Sequence, residues 1–135
     1  MAKSLEDQKK DRARIQKLYF DGLQGEKVFD LWESFDPELA LDLTHFVSGT
    51  MYSREKISHK TRQLVAISAL TAMEKREELR VHIYGAINVG CKPDEIAEVI
   101  FQMFTYCGAP AVNSGLKALR SVMDERGLKL TNEER

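Results

Sequence analysis

Apolar residues recur along the chain at intervals of three and four, and the β-branched alternation that marks strands is missing. That spacing predicts seven helices, with the three prolines and eight glycines falling where helices would be punctuated. The first, from about Leu5 to Phe20, is charged. It carries a thin stripe of Ile15, Leu18 and Tyr19 before Gly22 and Gly25 break it. A short second helix holds Val28, Leu31, Trp32 and Phe35. Asp36-Pro37 then provides a cap and a first-turn proline for a third, expected to bury Leu39, Leu43, Phe46 and Val47 and to end near Gly49.

A polar connection over 52–57 leads to a fourth helix starting at Ser58 or His59. There HKTRQLVAISALTAM is apolar around much of its circumference through Leu64, Val65, Ile67, Ala69 and Leu70, the pattern of a central helix. The fifth is expected from about Glu77 to Val89, with Gly90 as a left-handed stop. Pro93 opens the sixth, with Asp94 and Glu95 matching the helix dipole and Ile96, Val99, Ile100, Met103 and Phe104 as its buried stripe. Tyr106 would end it. Cys107-Gly108-Ala109-Pro110 turns into a seventh helix carrying Val112, Leu116, Leu119, Val122 and Met123, stopped by Gly127, and a polar, mobile tail would follow.

Composition narrows the class. A chain of 135 residues, 43% hydrophobic and 30% charged, fits one soluble globular domain, 1–135. No apolar run approaches the roughly 20 residues of a spanning helix. The stretch from Met1 to Arg14 is charged and so unlike a secretory signal, which makes the cytoplasm the default location with no membrane partner. A net charge of −1 gives no reason to expect nucleic acid. The densest basic run, Lys9 to Arg14, is interrupted by Asp11 and reads as a solvated face. Cys91 and Cys107 are too few for a disulfide scaffold and too distant for CxxC, and the histidines at 45, 59 and 82 lack metal-ligand spacing. No metal site is expected.

A few residues could carry chemistry. Glu78 and His82 stack on one helical face, where a carboxylate can orient an imidazole for proton transfer, and Gly85 and Ala86 would leave room beside them. The same spacing describes an ordinary surface pair, which spacing alone favours. Arg62, near a helix N-terminus, could present its fork to a carboxylate or pair with a neighbouring acid. Gln63 and His59 add polar groups at that level as substrate-binding candidates. Tyr106 could donate to an enolate oxygen, or be a core residue with a polar tip.

Taken in order, HKTRQLVAISAL and EELRVHIYGAINVGCKPDEIAEVIFQMFTYCGAPA resemble the carboxymuconolactone decarboxylase family, which includes alkylhydroperoxidase D-type proteins. The matching marks are Arg62, His82, Gly90, Glu95-Ile96 and Tyr106/Gly108/Pro110, spanning roughly 35–126. The resemblance implies an all-α, alkylhydroperoxidase D-like helical bundle that forms homo-trimers or homo-hexamers. The charged N-terminal helix would then pack over a neighbouring subunit. It further implies a cofactor-independent carboxy-lyase, or a related proton-transfer enzyme of aromatic compound catabolism, on a small cyclic carboxylate. In that reading Arg62 holds the carboxylate, His82 delivers the proton, Glu78 orients His82, and Tyr106 is a weaker donor. The peroxidase branch's two cysteines fall on Lys75 and Glu78 here, and its glutamate on Gln63, so its thiol chemistry is absent from that site. A peroxidase using Cys91 or Cys107 is the least favoured reading. The alternative from another class is a non-catalytic oligomeric ligand-binding or scaffold protein.

Overall fold

The computed structural model describes residues 2–131. Among these it contains seven α-helices and no strand. They are α1 (Leu5–Phe20), α2 (Val28–Phe35), α3 (Pro37–Phe46), α4 (His59–Ala72), α5 (Arg76–Asn88), α6 (Pro93–Gln102) and α7 (Phe104–Arg126). A π-helical turn, Val47–Met51, extends α3. None of these helices is long and apolar enough to cross a membrane. The helices group into two compact units, Met1–Ile57 and Ser58–Arg135.

Most boundaries follow from local chemistry. Ser4 accepts the Asp7 N–H at 3.1 Å, Asp36 the Leu39 N–H at 3.0 Å, and Ser58 the Thr61 N–H at 3.1 Å. Each side chain satisfies a donor that the first helical turn leaves unmade. Pro93 opens α6, and the Glu95 carboxylate accepts the Lys92 N–H at 3.0 Å. Gly90 (φ +100°) and Gly127 (φ +64°) occupy the left-handed region that L side chains avoid.

In the first unit α1 packs on the π-helical turn and on α3. Its charged helix thus has partners inside its own unit. Ile15 and Tyr19 are buried, and the Tyr19 ring meets Tyr52 edge-on at 5.5 Å. Lys3 donates to the Gly49 carbonyl at 2.9 Å and to Ser53 Oγ at 2.7 Å, and pairs with Asp11. Gln8 Nε2 donates to Thr50 Oγ1 at 2.9 Å. A Cβ on Gly49 would stand 2.6 Å from the Gln8 carbonyl oxygen, so α1 lies on bare backbone there.

That close approach corrects the expected face of α3. Ala40, Thr44, His45 and, beyond its end, Ser48 are the buried positions, while Leu39, Leu43 and Phe46 are exposed. Helix-on-helix contact at this distance demands small residues, and the large apolar stripe is left outside. None of α2 is buried.

In the second unit α4 packs against α5, α6 and α7. Its buried residues are Gln63, Ile67 and Thr71, one turn apart, while Val65 and Ala69 lie exposed. The helix is therefore covered on part of its circumference rather than all round. A Cβ on Gly115 of α7 would stand 2.8 Å from Ile100 Cγ2 and 3.2 Å from Thr71 Cγ2, marking where three helices converge. Ile96 and Ile100 form the buried side of α6, and Phe104, assigned to that stripe from sequence, is exposed.

The turn expected at Cys107–Pro110 is a break inside α7. Gly108 adopts φ 80°, ψ −179°, and Pro110 follows. Tyr106 accordingly lies in the first turn of α7, beyond the end of α6. The segment after Gly127 meets α6 at Thr131, whose N–H and hydroxyl both donate to Asp94, the latter at 2.7 Å. The remainder of the expected tail, 132–135, lies outside the described residues.

Candidate functional site

The Ser58 cap sets the phase of α4. With His59 as its first residue, His59, Gln63, Ile67 and Thr71 fall on one face at intervals of four. Ile67 and Thr71 are core, and Gln63 shares their burial, with 0% of its surface exposed. An amide at a core position must spend its hydrogen bonds inside the protein.

One goes to α5. The His82 Nδ1 lies 2.9 Å from Gln63 Oε1. A carbonyl oxygen only accepts, so Nδ1 carries the hydrogen and donates it. In the neutral ring this makes Nε2 the basic nitrogen. Gln63 thereby selects both the tautomer and the ring's orientation. Its own Nε2 is buried and has no hydrogen-bond partner among the described residues. Leaving a buried donor unsatisfied costs about 1–3 kcal/mol, so apolar packing alone does not account for glutamine at this position.

Burial pushes the half-buried His82 imidazole below its ordinary value, while the Glu78 carboxylate one turn earlier pulls the other way. Glu78 is exposed and acts on the ring by charge. Gln63 supplies a hydrogen bond that helps to orient the ring. Arg62 and His59, both half-buried, occupy the same first turns of α4. Tyr106 is exposed on α7, and no hydrogen bond joins it to His82 or Gln63. Gly85 and Ala86 are themselves buried.

The thiols stand apart from this pair. Cys91 is buried, donates to the Lys60 carbonyl at 3.8 Å, and is pushed up by burial and by Glu95, with Lys60 opposing. Cys107 donates to the Met103 carbonyl at 3.0 Å. Both are free. The Gln63–His82 bond was the feature sequence reasoning missed. Its signal was the phase of Gln63, in register with Ile67 and Thr71 on the face that becomes core.

Depression of a histidine makes stability depend on pH with a definite sign. His82 and the buried His45 both lie below the usual histidine value, His45 through burial and then through Arg12 and Lys9, against Asp42. The unfolded chain then binds more protons than the folded one as pH falls below about 6.5. Stability is therefore complete above that pH and is lost as pH falls toward the depressed folded values. The lowered carboxyls Asp11, Asp94 and Glu95 act only below about pH 4.5, leaving a separate window. Thermal melts are expected to be flat from pH 7 to 8 and to fall from about 6.5 to 5. The double variant His45→Asn/His82→Asn should flatten that fall. An unchanged slope in the double variant contradicts the assignment.

The family model described as the carboxymuconolactone decarboxylase family matches residues 37–121, from the start of α3 into α7. The 4-carboxymuconolactone decarboxylase of Acinetobacter baylyi is 31% identical over 94 residues, covering 70% of each chain. An uncharacterised 15.0 kDa protein of Paracoccus denitrificans is 35% identical over 95 residues, covering 69% of this chain and 71% of that one. The nitrosuccinic acid decarboxylase of Metarhizium robertsii is 32% identical over 69 residues, covering 51% of this chain and 48% of its own. With its all-α architecture and the matched span, this chain belongs to the carboxymuconolactone decarboxylase family.

Proposed function

We propose that the protein is a carboxy-lyase acting on a small cyclic carboxylic acid, with His82 as the proton-transferring catalytic residue. The observation that carries this reading is the buried Gln63–His82 hydrogen bond, which holds one imidazole in one tautomer. Two relatives bearing decarboxylase names support the same reaction class. The reaction balances as R–CO2⁻ + H⁺ → R–H + CO2: the carbon–carboxylate bond breaks, its electron pair stays on the substrate, and a proton closes the new C–H bond. Arg62 supplies a guanidinium fork for the carboxylate, and His82 supplies the proton. In the free protein burial disfavours the imidazolium. An arriving carboxylate favours it again, so the ring gains its proton as substrate binds.

The test is carbon dioxide release from 4-carboxymuconolactone and from nitrosuccinate by the purified chain. Saturable release from the lactone acid supports the reading, whereas release from the acyclic nitrosuccinate alone keeps the carboxy-lyase and removes the cyclic substrate. No release from either, at enzyme concentrations that would reveal a single turnover, overturns it. The balance also prescribes a pH profile: kcat/KM should fall with unit slope as pH rises above the depressed His82 value, whereas kcat should hold to higher pH. A kcat/KM flat from pH 5 to 8 removes His82 from the proton step.

Association with copies of itself belongs to the same proposal. Phe35 is 86% exposed, Phe46 55%, Val65 57%, and Phe101 and Phe104 53% and 57%. Single apolar side chains are ordinary on a protein surface, but aromatic residues are enriched at interfaces, which supports association through these positions. Light scattering is expected to give a mass of three or six times 15.4 kDa. Phe35→Glu and Phe101→Glu are expected to lower it. A monomeric wild-type chain at micromolar concentration overturns this part of the proposal.

A further inference from the structure

From Gln63 to Met73, α4 and its C-cap carry no charged residue. Only one side of that run is covered. Gln63, Ile67 and Thr71 are buried where α4 packs on α5, α6 and α7. On the opposite side Val65 and Met73 keep 57% and 61% of their surface exposed, and Ala69 and Ala72 between them are exposed as well. A helix face that meets water ordinarily carries charge, and a helix uncharged all round is normally covered all round.

We infer that this outer face of α4 docks against the same face of a second copy of the chain, about a twofold axis with the two helices antiparallel. The inference rests on the association reading above and names one of its contacts. Three observations select a copy of the same chain as the occupant. Val65, Ala69 and Ala72 follow one another at intervals of four and three, the spacing of a helix–helix seam. Because the face is uncharged, laying it against itself brings no like charges together, and its two alanines let the helix axes approach to the near end of about 8–10 Å. The helix ends then complement each other. His59, Lys60 and Arg62 lie in the first turns of α4, at the positive end of its dipole, and no basic residue lies in the last turn. An antiparallel pair sets each copy's cations beside the other copy's negative helix end, whereas a parallel pair would crowd the cations together. The extent of the face decides what the contact can do. A helix of 14 residues is about 21 Å long, and one such pair falls short of the roughly 1,600 Å² of a standard interface. It therefore joins copies that other surfaces already hold. A twofold contact added to a three-membered ring gives six.

The experiment is light scattering of the full chain beside its Ala69→Arg variant. The wild-type mass is expected at six times 15.4 kDa, and the mass of Ala69→Arg at half of that. Arginine is a good helix former and position 69 is exposed, so circular dichroism and melting of the variant should match the parent. Ala69→Ser, small and uncharged, should keep the full mass. Val65→Cys, Ala69→Cys and Ala72→Cys, each made separately in a Cys107→Ser background, are then oxidised. At least one is expected to give a disulfide-linked pair of chains, because a twofold seam brings residues near its axis against their own copies. An undiminished mass for folded Ala69→Arg overturns the inference, and so does the failure of all three cysteines to link. The two readings fail separately. A wild-type mass of three chains with no linked pair keeps association and removes the α4 contact. A wild-type mass of two chains that falls to one in Ala69→Arg keeps the α4 contact and removes the three- or six-membered assembly. A monomeric wild type overturns both.

Discussion

Replacing His82 with alanine is expected to lower kcat for carbon dioxide release from 4-carboxymuconolactone by about 10²–10⁴-fold, the range over which a positioned acid or base contributes. Alanine favours the α5 helix and removes a half-buried ring, so the fold should survive. Circular dichroism of the variant should match the parent. KM should change less than kcat, because carboxylate binding is assigned to Arg62. Arg62→Ala should show the opposite division, with KM rising more than kcat falls. Undiminished kcat in His82→Ala places the proton source elsewhere. Equal losses in KM from both variants would make the ring a binding group and not a proton carrier.

Gly49→Ala is the stability counterpart. The added methyl would stand 2.6 Å from the Gln8 carbonyl oxygen and 3.1 Å from its carbon. These are backbone atoms of α1, which cannot rotate aside as a side-chain tip does. Moving α1 disturbs the Gln8–Thr50 and Lys3–Gly49 bonds and the Tyr19–Tyr52 contact at once. Overpacking of this kind costs about 1–3 kcal/mol, more than the gain of up to about 1 kcal/mol from replacing glycine in a helix. A fall in Tm of about 4–8 °C is the expected result. Gly115→Ala should be milder, since its closest neighbour is a methyl of Ile100. An unchanged melting temperature in Gly49→Ala would mean that α1 is not seated on the π-helical turn.

The two predictions draw on features of different legibility. Caps and stops are local, so Asp36-Pro37, Ser58, Pro93-Asp94-Glu95, Gly90 and Gly127 announced the helix ends before any packing was known. The inward face of a helix is a property of its neighbours. Leu39, Leu43 and Phe46 looked like the core of α3, yet Ala40, Thr44 and Ser48 took that role because backbone approaches backbone there. Val65 and Ala69 misled in the same way on α4. The candidate site shows the same division. His82, Glu78 and Arg62 were visible as chemistry-bearing residues at helical spacing. The tie between Gln63 and His82 was not, since it joins residues nineteen positions apart on two helices and depends on how α4 and α5 pack. Tyr106 stood out beside a glycine-proline turn. The break at Gly108 then proved to lie within α7, with the tyrosine exposed on its near side.

The contrast between the two cysteines has a use at the bench. Cys91 is closed to solvent, tied to the Lys60 carbonyl, and made less acidic by its surroundings, so it presents little thiolate to a maleimide or an iodoacetamide. Cys107 is partly open and sits one residue before the Gly108 break. A fluorophore or spin label introduced under native conditions should therefore mark a single position, at the bend of α7. That lets the wild-type chain carry its own probe of how this corner responds to ligand and to association, with no cysteine removed or added.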